Sequence, residues 1–328
     1  MKRRQLLLAA PALATPGLAT PALAQGRRPL RVIVPFPPGG AVDSLGRILA
    51  DRLGPVLEQT VLVENRAGAG GVVGADTVAK SAPDGTTLGI LGAASLLAAP
   101  LLQPSFPFDP LRDLAALSQI TDSAVLCAVN GATARREGWA SLAALLAAAR
   151  ARPGAIRMGT TGVATVSHLA LAAIARAGGV EFLHVPYRGG AEAIQALLSG
   201  EVDGLCDLPP LIAPQLSEGR AVALAVSSQA RLQFLPQVPG LAEALPGAPF
   251  DIRSWNMLAL AAGTPEAERA RLFAAVARIA AEPGFRAALA PLSYDAVTSE
   301  SPAAAAAFLA AEAPRWRELV RLSGARVT

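Results

Sequence analysis

Residues 32–43 read Val-Ile-Val-Pro-Phe-Pro-Pro-Gly-Gly-Ala-Val-Asp. The β-branched run that ends at Val34 is typical of a buried strand, and the prolines after it must end that strand. Beyond Gly40, apolar residues recur every three or four positions, as on one side of an amphipathic helix. A strand, a glycine turn and a helix start leave backbone N–H groups free at the positive end of a helix dipole. The stretch therefore predicts either an anion site or an ordinary strand-to-helix turn.

The same pattern of strand, turn and helix recurs along the chain. Residues 61–91 alternate strand and helix patterns with short connections, and residues 142–226 do so again. Such alternation predicts parallel α/β sheets covered by helices, with ligands bound beyond the carboxyl ends of the strands. We predict one domain from residues 27–122 plus 230–328 and a second from residues 123–229. The first glycine turn, at Gly39 and Gly40, and a second one in residues 159–168 would then face one cleft between the two domains.

The first 24 residues have the features of an export signal. Lys2, Arg3 and Arg4 supply positive charge, residues 6–24 are uncharged and mostly apolar, and Ala22-Leu-Ala24 provides a small–x–small cleavage site. We therefore expect cleavage after Ala24, which leaves 328 − 24 = 304 residues. The expected location is the periplasm, reached by the general secretory route or, given the paired arginines, by the twin-arginine route.

Charge and composition exclude several classes of function. The chain has 29 Lys and Arg against 25 Asp and Glu, and removing the three basic residues of the leader leaves 26 − 25 = +1. There is no block of like charge and only 4% aromatic residues, so neither a nucleic-acid groove nor a polybasic membrane surface is expected. After the leader, every long apolar run is interrupted by Pro, Gly or charge, which predicts a soluble exported protein.

The motifs that suggest catalysis or a cofactor are incomplete. Ser167 and His168 could belong to a hydrolase, but adjacent helical residues point in different directions and no G-x-S-x-G elbow is present. The glycines of residues 68–74 lack the third glycine of a dinucleotide fingerprint. His168 and His184 are the only histidines, too few for a metal site built from imidazoles. We expect no enzymatic activity, no cofactor and no metal.

Two cysteines, Cys127 and Cys206, lie far apart in sequence, each in or beside an apolar segment. An oxidising compartment permits a disulfide between them, and two buried thiols are equally ordinary. Both alternatives remain open on the sequence alone.

The glycine turns carry the groups expected of a binding site. Backbone donors come from Gly39, Gly40, Gly159, Gly162, Gly189 and Gly190, and hydroxyls come from Ser95, Thr160, Thr161, Thr165 and Tyr187. Such a set suits a small carboxylate held by N–H groups and helix termini. Asp43 can cap the first helix or, alternatively, contact a ligand ammonium or a water.

Seven short motifs follow one another in order along the mature chain. They are Pro35-Phe-Pro-Pro-Gly-Gly-Ala-Val-Asp43, Val63-Glu-Asn-Arg-Ala-Gly-Ala-Gly-Gly71, Pro83-Asp-Gly85, His184-Val-Pro-Tyr-Arg-Gly189, Gly200-Glu-Val-Asp203, Leu235-Pro-Gln-Val-Pro239 and Gly263-Thr-Pro265. Their order and spacing resemble the extracytoplasmic receptors of tripartite tricarboxylate transporters, also called Bug-type solute-binding proteins.

The resemblance implies a type II periplasmic-binding-protein fold, in which two α/β domains close on a ligand in the cleft between them. It also implies a monomeric receptor without enzymatic activity that delivers a small organic carboxylate to membrane transporter subunits. The ligand would be a di- or tricarboxylate, an aromatic acid or an amino acid. The resemblance assigns ligand binding to Pro38, Gly39, Gly40 and Asp43 in the first loop, to Thr160, Gly162 and Thr165 in the second turn, and to Ser95, Tyr187 and Asp207 at positions where the family varies.

One departure bears on the ligand. This chain has Ala164-Thr165-Val166 where the family often has Gly-Ser-Ser. The loss of a hydroxyl and of a glycine favours a ligand less polar than a tricarboxylate. Two other functions remain possible from the sequence: an orphan receptor of the same fold that serves in sensing, and a secreted hydrolase that uses Ser167 or His168.

Overall fold

The computed structural model describes residues 27–103 and 105–325, so the expected signal peptide lies outside the described residues. Within these ranges the strands form two sheets. From one edge to the other, the strands of the first sheet are β11 (Asp295–Ala296), β4 (Leu114–Asp122), β10 (Asn256–Ala261), β3 (Thr87–Gly92), β1 (Leu30–Val34) and β2 (Val61–Asn65). Those of the second sheet are β7 (Leu183–Pro186), β6 (Arg157–Thr160), β8 (Gly204–Asp207), β5 (Leu126–Asn130) and β9 (Ala221–Val226).

Helices cover both faces of the first sheet. They are α1 (Ala41–Leu57), α2 (Val72–Ala79), α3 (Ala99–Leu102), α10 (Glu266–Ala281), α11 (Pro283–Leu289) and α12 (Pro302–Ser323). The apolar spacing predicted for α1 is confirmed, since Leu45, Leu49 and Leu53 are buried against β1 and α10. Helices α2 and α12 pack on the opposite face. We call this sheet with its helices the first lobe.

The second lobe is the other sheet with its own helices. These are α4 (Gly131–Glu137), α5 (Leu142–Ala151), α6 (Val166–Gly178), α7 (Gly190–Ser199), α8 (Pro209–Ser217) and α9 (Leu241–Ala244). Helices α5 and α6 pack on one face of the sheet, and α7 and α8 pack on the other. The disulfide left open by the sequence is formed: Cys127 on β5 is directly opposite Cys206 on β8, and the two are bonded.

The expected parallel pairing holds for only part of each sheet. Strand β1 is parallel to β2 and β3, and β6 is parallel to β7 and β8. Strand β10 instead lies antiparallel between β3 and β4, and β5 lies antiparallel between β8 and β9. Strands β5 and β10 are the ones that directly follow the segments through which the chain passes from one lobe to the other. Each therefore enters its sheet from the opposite end.

The two lobes are joined by crossing segments that lie side by side. Ser123 and Ser254 exchange backbone hydrogen bonds of 2.9 and 2.8 Å, and Arg253 forms an ion pair with Asp122 at 2.7 Å. Leu232, Leu235 and Val238 pack in the core of the second lobe. The predicted boundary at residue 230 thus falls within a segment that packs on the second sheet, and we propose that the chain returns near Arg253 instead.

Helix α12 also connects the lobes. It packs on β4 of the first sheet and on α6 of the second lobe. Its buried Glu312 accepts hydrogen bonds from the indole N–H groups of Trp255 and Trp316, each at 3.0 Å. None of the helices in the described residues combines the length and the apolar composition that a bilayer crossing requires.

Candidate functional site

A cavity of about 380 Å³ lies between the lobes, at the carboxyl ends of β1 and β8. The first lobe contributes Phe36, Pro38, Gly40, Val42, Ser95 and Asn256, among others, and the second lobe contributes Val125, Thr161, Thr165, Ser167, Gly190, Asp207 and Leu208, among others. The strand ends of an α/β sheet and the groove between two lobes are both places where ligands commonly bind. The predicted meeting of the two turns in one cleft is therefore observed.

The first loop is held in shape by a carboxylate that points away from the cavity. Asp43 is 3% exposed and accepts hydrogen bonds from the Gly39 N–H at 3.0 Å, from Asn65 at 2.8 Å and from Arg47 at 3.0 Å. Burial alone would raise the pKa of Asp43, but these hydrogen bonds outweigh it and the pKa lies below its ordinary value. Gly39 adopts a φ of +88°, which a residue with a side chain rarely takes.

The loop leaves the start of α1 open to the cavity. Gly40 is the N-cap residue and has no side chain to cap the helix. The first helical hydrogen bond runs from the Ser44 N–H to the Gly40 carbonyl, so the preceding N–H groups have no partner in the helix ladder. Gly40, Ala41 and Val42 all line the cavity. This arrangement is suited to an anion, because free donors and the positive end of the dipole coincide.

Helix α7 presents a second start of the same kind from the opposite lobe. Its N-cap is Gly189, again without a side-chain cap, and Gly189, Gly190 and Ala191 line the cavity. Helix α6 differs, because the Thr165 hydroxyl accepts a hydrogen bond from the His168 N–H at 3.3 Å and occupies its start. Helix α8 also starts at the cavity without a side-chain cap, but its first two residues, Pro209 and Pro210, have no N–H to donate. The helix starts that offer uncapped glycine and N–H groups are thus those of α1 and α7, one from each lobe.

The second turn supplies hydroxyl groups. Ser167 Oγ lies 2.7 Å from Thr161 Oγ1 and 2.9 Å from Thr165 Oγ1, and all three residues line the cavity. Ala164 takes a φ of +61°, and its N–H donates to His168 Nδ1 at 3.1 Å. Ser167 and His168 are thus each bound to groups other than one another, an arrangement that differs from a nucleophile and its base.

The two histidines form a stacked pair behind this turn. Their ring centroids are 4.4 Å apart, and the Thr160 hydroxyl lies 2.6 Å from His184 Nε2. Burial, together with the charge of His184, lowers the pKa of His168 to about 4, and burial lowers the pKa of His184 as well. Both rings are therefore neutral near neutral pH and serve as packing and hydrogen-bonding groups. Within the described residues, no three His, Cys, Asp or Glu side chains are grouped to hold a metal ion.

Comparison with known proteins identifies the family. The model of the tripartite tricarboxylate transporter family receptor, TctC, matches residues 45–324. The chain belongs to this family. A UPF0065 protein in the tcbD–tcbE intergenic region of Pseudomonas sp. strain P51 is 35% identical over 295 residues, which cover 89% of this chain and 85% of that protein.

Solved structures of TctC-type proteins share the architecture. The periplasmic binding protein BugD superposes with a TM-score of 0.84 at 28% identity and covers 92% of this chain and 99% of its own. MatC from Rhodopseudomonas palustris, solved with bound malate, gives a TM-score of 0.81 at 30% identity, with 90% of this chain and 99% of MatC covered. The predicted periplasmic-binding-protein fold is confirmed, and the chain is a solute receptor of the TctC type.

The residues that the TctC resemblance assigned to binding fall into two groups. Pro38, Gly40, Ser95, Thr165 and Asp207 line the cavity, whereas Gly39, Asp43, Thr160, Gly162 and Tyr187 do not. Two residues of the second group are instead hydrogen-bonded to side chains that do not line the cavity. Thr160 is held by His184, and the Tyr187 hydroxyl donates to Glu201 at 2.8 Å.

The sequence did not indicate several residues of the TctC cavity. Phe36 lies in the quoted loop without being singled out, and Asn256 enters from β10, which comes late in the chain. Asn256 is a polar residue at the start of the apolar strand of residues 256–261, and this contrast could have marked it. Its amide donates to Thr121 at 2.9 Å, which fixes the side chain at the floor of the cleft.

Proposed function

We propose that this receptor captures a small organic carboxylate in the cleft between its lobes and delivers it to the membrane subunits of a tripartite tricarboxylate-type transporter. The observation that carries the proposal is the convergence of two helix starts, α1 and α7, on one cavity, each capped only by glycine. A carboxylate accepts hydrogen bonds from backbone N–H groups and is stabilised by the helix dipole, by about 0.3–1 kcal/mol at exposed sites and more where partly buried.

Two further features support a small organic acid. The volume of about 380 Å³ is at the lower end of the range for small-molecule sites, and the walls combine apolar side chains such as Phe36, Val125 and Leu208 with hydroxyls. MatC, a relative of similar structure, was solved with malate. We propose that the receptor acts as a monomer in the periplasm after removal of residues 1–24.

A thermal-shift screen tests the proposal. Protein freed of endogenous ligand by unfolding and refolding is mixed with aliphatic and aromatic mono-, di- and tricarboxylates, and with sugars and polyamines as negative controls. A carboxylate present at a hundred times its dissociation constant should stabilise the protein by about 2.7 kcal/mol. A protein whose melting temperature responds to no carboxylate, or equally to the neutral compounds, contradicts the proposal.

A further inference from the structure

Asp207 is a buried carboxylate in a cavity otherwise suited to anions. It ends β8 and is 7% exposed, and it lines the cavity. Its Oδ1 accepts one hydrogen bond from the Thr161 hydroxyl at 3.3 Å. Its Oδ2 lies beside Gly190, where an added Cβ would approach to 2.7 Å. The absence of a side chain at position 190 therefore makes room for this carboxylate next to the start of α7.

This carboxylate is short of hydrogen bonds. An ionised carboxylate offers about four acceptor positions, and burying it without enough donors is costly. Burial raises the pKa of Asp207 to about 7, and the Leu208 N–H and the Thr161 hydroxyl offset this only in part. A ligand group that donates a hydrogen bond would stabilise Asp207, whereas a ligand carboxylate beside it would meet a like charge.

The other ionisable groups around Asp207 do not neutralise it. Arg188 and Glu192, from the start of α7, are exposed at the rim of the cavity, and Glu192 accepts the Arg188 N–H at 3.2 Å. Tyr294, just before β11, is buried, and burial, partly offset by Asn256 and reinforced by the charge of Asp207, raises its pKa so that it stays neutral. Among the described residues that line the cavity, Asp207 is therefore the ionisable side chain that is buried.

The starts of α1 and α7 consequently favour different ligand groups. The start of α1 offers free N–H donors, with Asp43 turned away and already bonded to Gly39. The start of α7 carries Asp207 beside it, so its attraction for an anion is offset by a negative group. The walls of the cavity also include the apolar side chains of Phe36, Val125 and Leu208.

We propose that Asp207 makes this receptor selective for carboxylates that carry, besides the carboxylate bound at the start of α1, a hydrogen-bond donor such as a hydroxyl or an ammonium, over carboxylates that carry a second carboxylate in its place. The inference rests on the proposed function, since it assumes that one carboxylate binds at the start of α1. It narrows the ligand class from organic acids in general to hydroxy and amino acids with an apolar body.

Two matched ligand series test the selectivity by isothermal titration calorimetry. The four-carbon series is butanoate, 4-hydroxybutanoate, 4-aminobutanoate and succinate, and the six-carbon series is hexanoate, 6-hydroxyhexanoate, 6-aminohexanoate and adipate. Within each series only the terminal group differs. At about pH 8 we expect the donor-terminated acids to bind roughly tenfold tighter than the dicarboxylate, which corresponds to one charge-assisted hydrogen bond.

Asp207→Asn tests the residue itself. Asparagine keeps the shape of the side chain and removes its charge. The ratio of the affinity for the donor-terminated acids to that for the dicarboxylate should therefore fall by roughly tenfold, mainly because the dicarboxylate binds tighter and the amino acid binds weaker. Asp51→Asn, on the exposed face of α1, is the matched control and should leave the ranking unchanged. A dicarboxylate that binds wild-type protein at least as tightly as the hydroxy and amino acids, or an unchanged ranking in Asp207→Asn, overturns the inference.

Wild-type protein offers a second measurement that does not depend on the folding of the variant. Because the pKa of Asp207 is about 7, lowering the pH from about 8 to about 6 protonates it and removes the repulsion. The dicarboxylate should then bind tighter and the amino acid weaker, and dicarboxylate binding near pH 7 should take up a proton. A ranking that does not change with pH overturns the inference but leaves the carboxylate receptor intact. Failure of every carboxylate to bind overturns both.

Discussion

Gly40 is the residue at which the first anion contact can be tested without disturbing the fold. A Cβ at this position meets no heavy atom within 4 Å, and the backbone φ of −90° and ψ of 174° suit a β-branched residue. In Gly40→Val the added methyl groups occupy space in the cavity beside the free N–H groups. We expect ligand affinity to fall by about tenfold or more, with a change of less than about 1 kcal/mol in stability from the poorer N-cap.

Titration calorimetry and thermal denaturation of the same Gly40→Val preparation separate the two effects. Gly54→Ala, in the same helix but away from the cavity, is the control, since its Cβ would make only an ordinary contact with the Gln59 carbonyl at 3.6 Å. Unchanged affinity in Gly40→Val would mean that the start of α1 does not face the ligand.

Asp43 is expected to hold the first loop in its observed conformation through its hydrogen bonds. In Asp43→Asn the buried side chain loses its charge-assisted bonds with Arg47 and Gly39, which should lower the unfolding free energy at neutral pH by roughly 1.5–3 kcal/mol. The pKa of Asp43 in the folded protein lies below the ordinary 3.8, so its contribution is present above that value and is lost as the pH falls through the lower folded pKa.

Urea denaturation at neutral and acid pH measures this contribution. The stability difference between wild-type protein and Asp43→Asn should shrink as the pH falls below about 4, where Asp43 becomes protonated first in the unfolded chain and then, at lower pH, in the folded protein. Asp51→Asn, exposed on the same helix, is expected to show neither effect. A stable Asp43→Asn protein with weakened binding would instead favour a direct ligand contact.

At the scale of single elements, α12 depends on one buried carboxylate. Glu312 Oε2 accepts the indole N–H groups of both Trp255, next to the crossing, and Trp316. Glu312→Ala would leave two buried donors unpaired, at about 1–3 kcal/mol each, so we expect the unfolding free energy to fall by roughly 2–6 kcal/mol. Chemical denaturation followed by tryptophan fluorescence measures it, with the exposed Glu318→Ala on the same helix as control. Equal stability of the two variants would contradict the role assigned to Glu312.

The disulfide between Cys127 and Cys206 covalently links β5 to β8 within the second sheet. It links residues separated by 79 positions in sequence, and both cysteines are 1% exposed. The double variant Cys127→Ala/Cys206→Ala should lose about 2–4 kcal/mol of stability, because the unfolded chain regains the freedom of a long loop. Native protein should retain its melting temperature in mild reductant, since the bond is buried. A double variant as stable as wild type would show that strand pairing alone holds the sheet.

The sequence predicted those elements whose cause is local. The strand, glycine turn and helix of residues 30–57 follow from β-branched residues, prolines and helical spacing that lie next to one another. The antiparallel insertion of β10 between β3 and β4 depends on a return from the second lobe, and no local pattern encodes it. For the same reason, side-chain directions such as that of Asp43, which is bonded to Asn65 of a neighbouring strand, could not be read from the loop.

At the scale of the whole molecule, the two lobes touch at the rim of the cleft. A Cβ at Gly189, in the second lobe, would lie 3.2 Å from Pro37 Cδ in the first, and one at Gly39 would lie 3.8 Å from the Ala191 Cβ. Lobes in such contact correspond to a closed receptor, and the paired crossings at Ser123 and Ser254 are suited to act as a hinge. The sequence indicated the two lobes through their repeated pattern, but this contact depends on how the lobes are arranged in space.

This contact makes closure testable with Gly189→Val. The nearest atoms to an added Cβ all belong to Pro37 of the opposite lobe, and the φ of −174° is accessible to any residue. The valine should therefore be tolerated when the lobes are apart and should obstruct them as they close. Because the ligand stabilises the closed form, we expect affinity to fall by about tenfold or more while the melting temperature of ligand-free protein changes little.

Small-angle X-ray scattering distinguishes obstruction of closure from simple crowding of the ligand. Wild-type protein and Gly54→Ala should become more compact when a saturating carboxylate is added, whereas Gly189→Val should keep its ligand-free radius of gyration even at ligand concentrations that saturate it. Gly40→Val crowds the ligand without separating the lobes, so it should still become compact once enough ligand is present. Full compaction of Gly189→Val would show that the rim contact does not control closure. The loss of affinity would then result from crowding of the ligand at the start of α7.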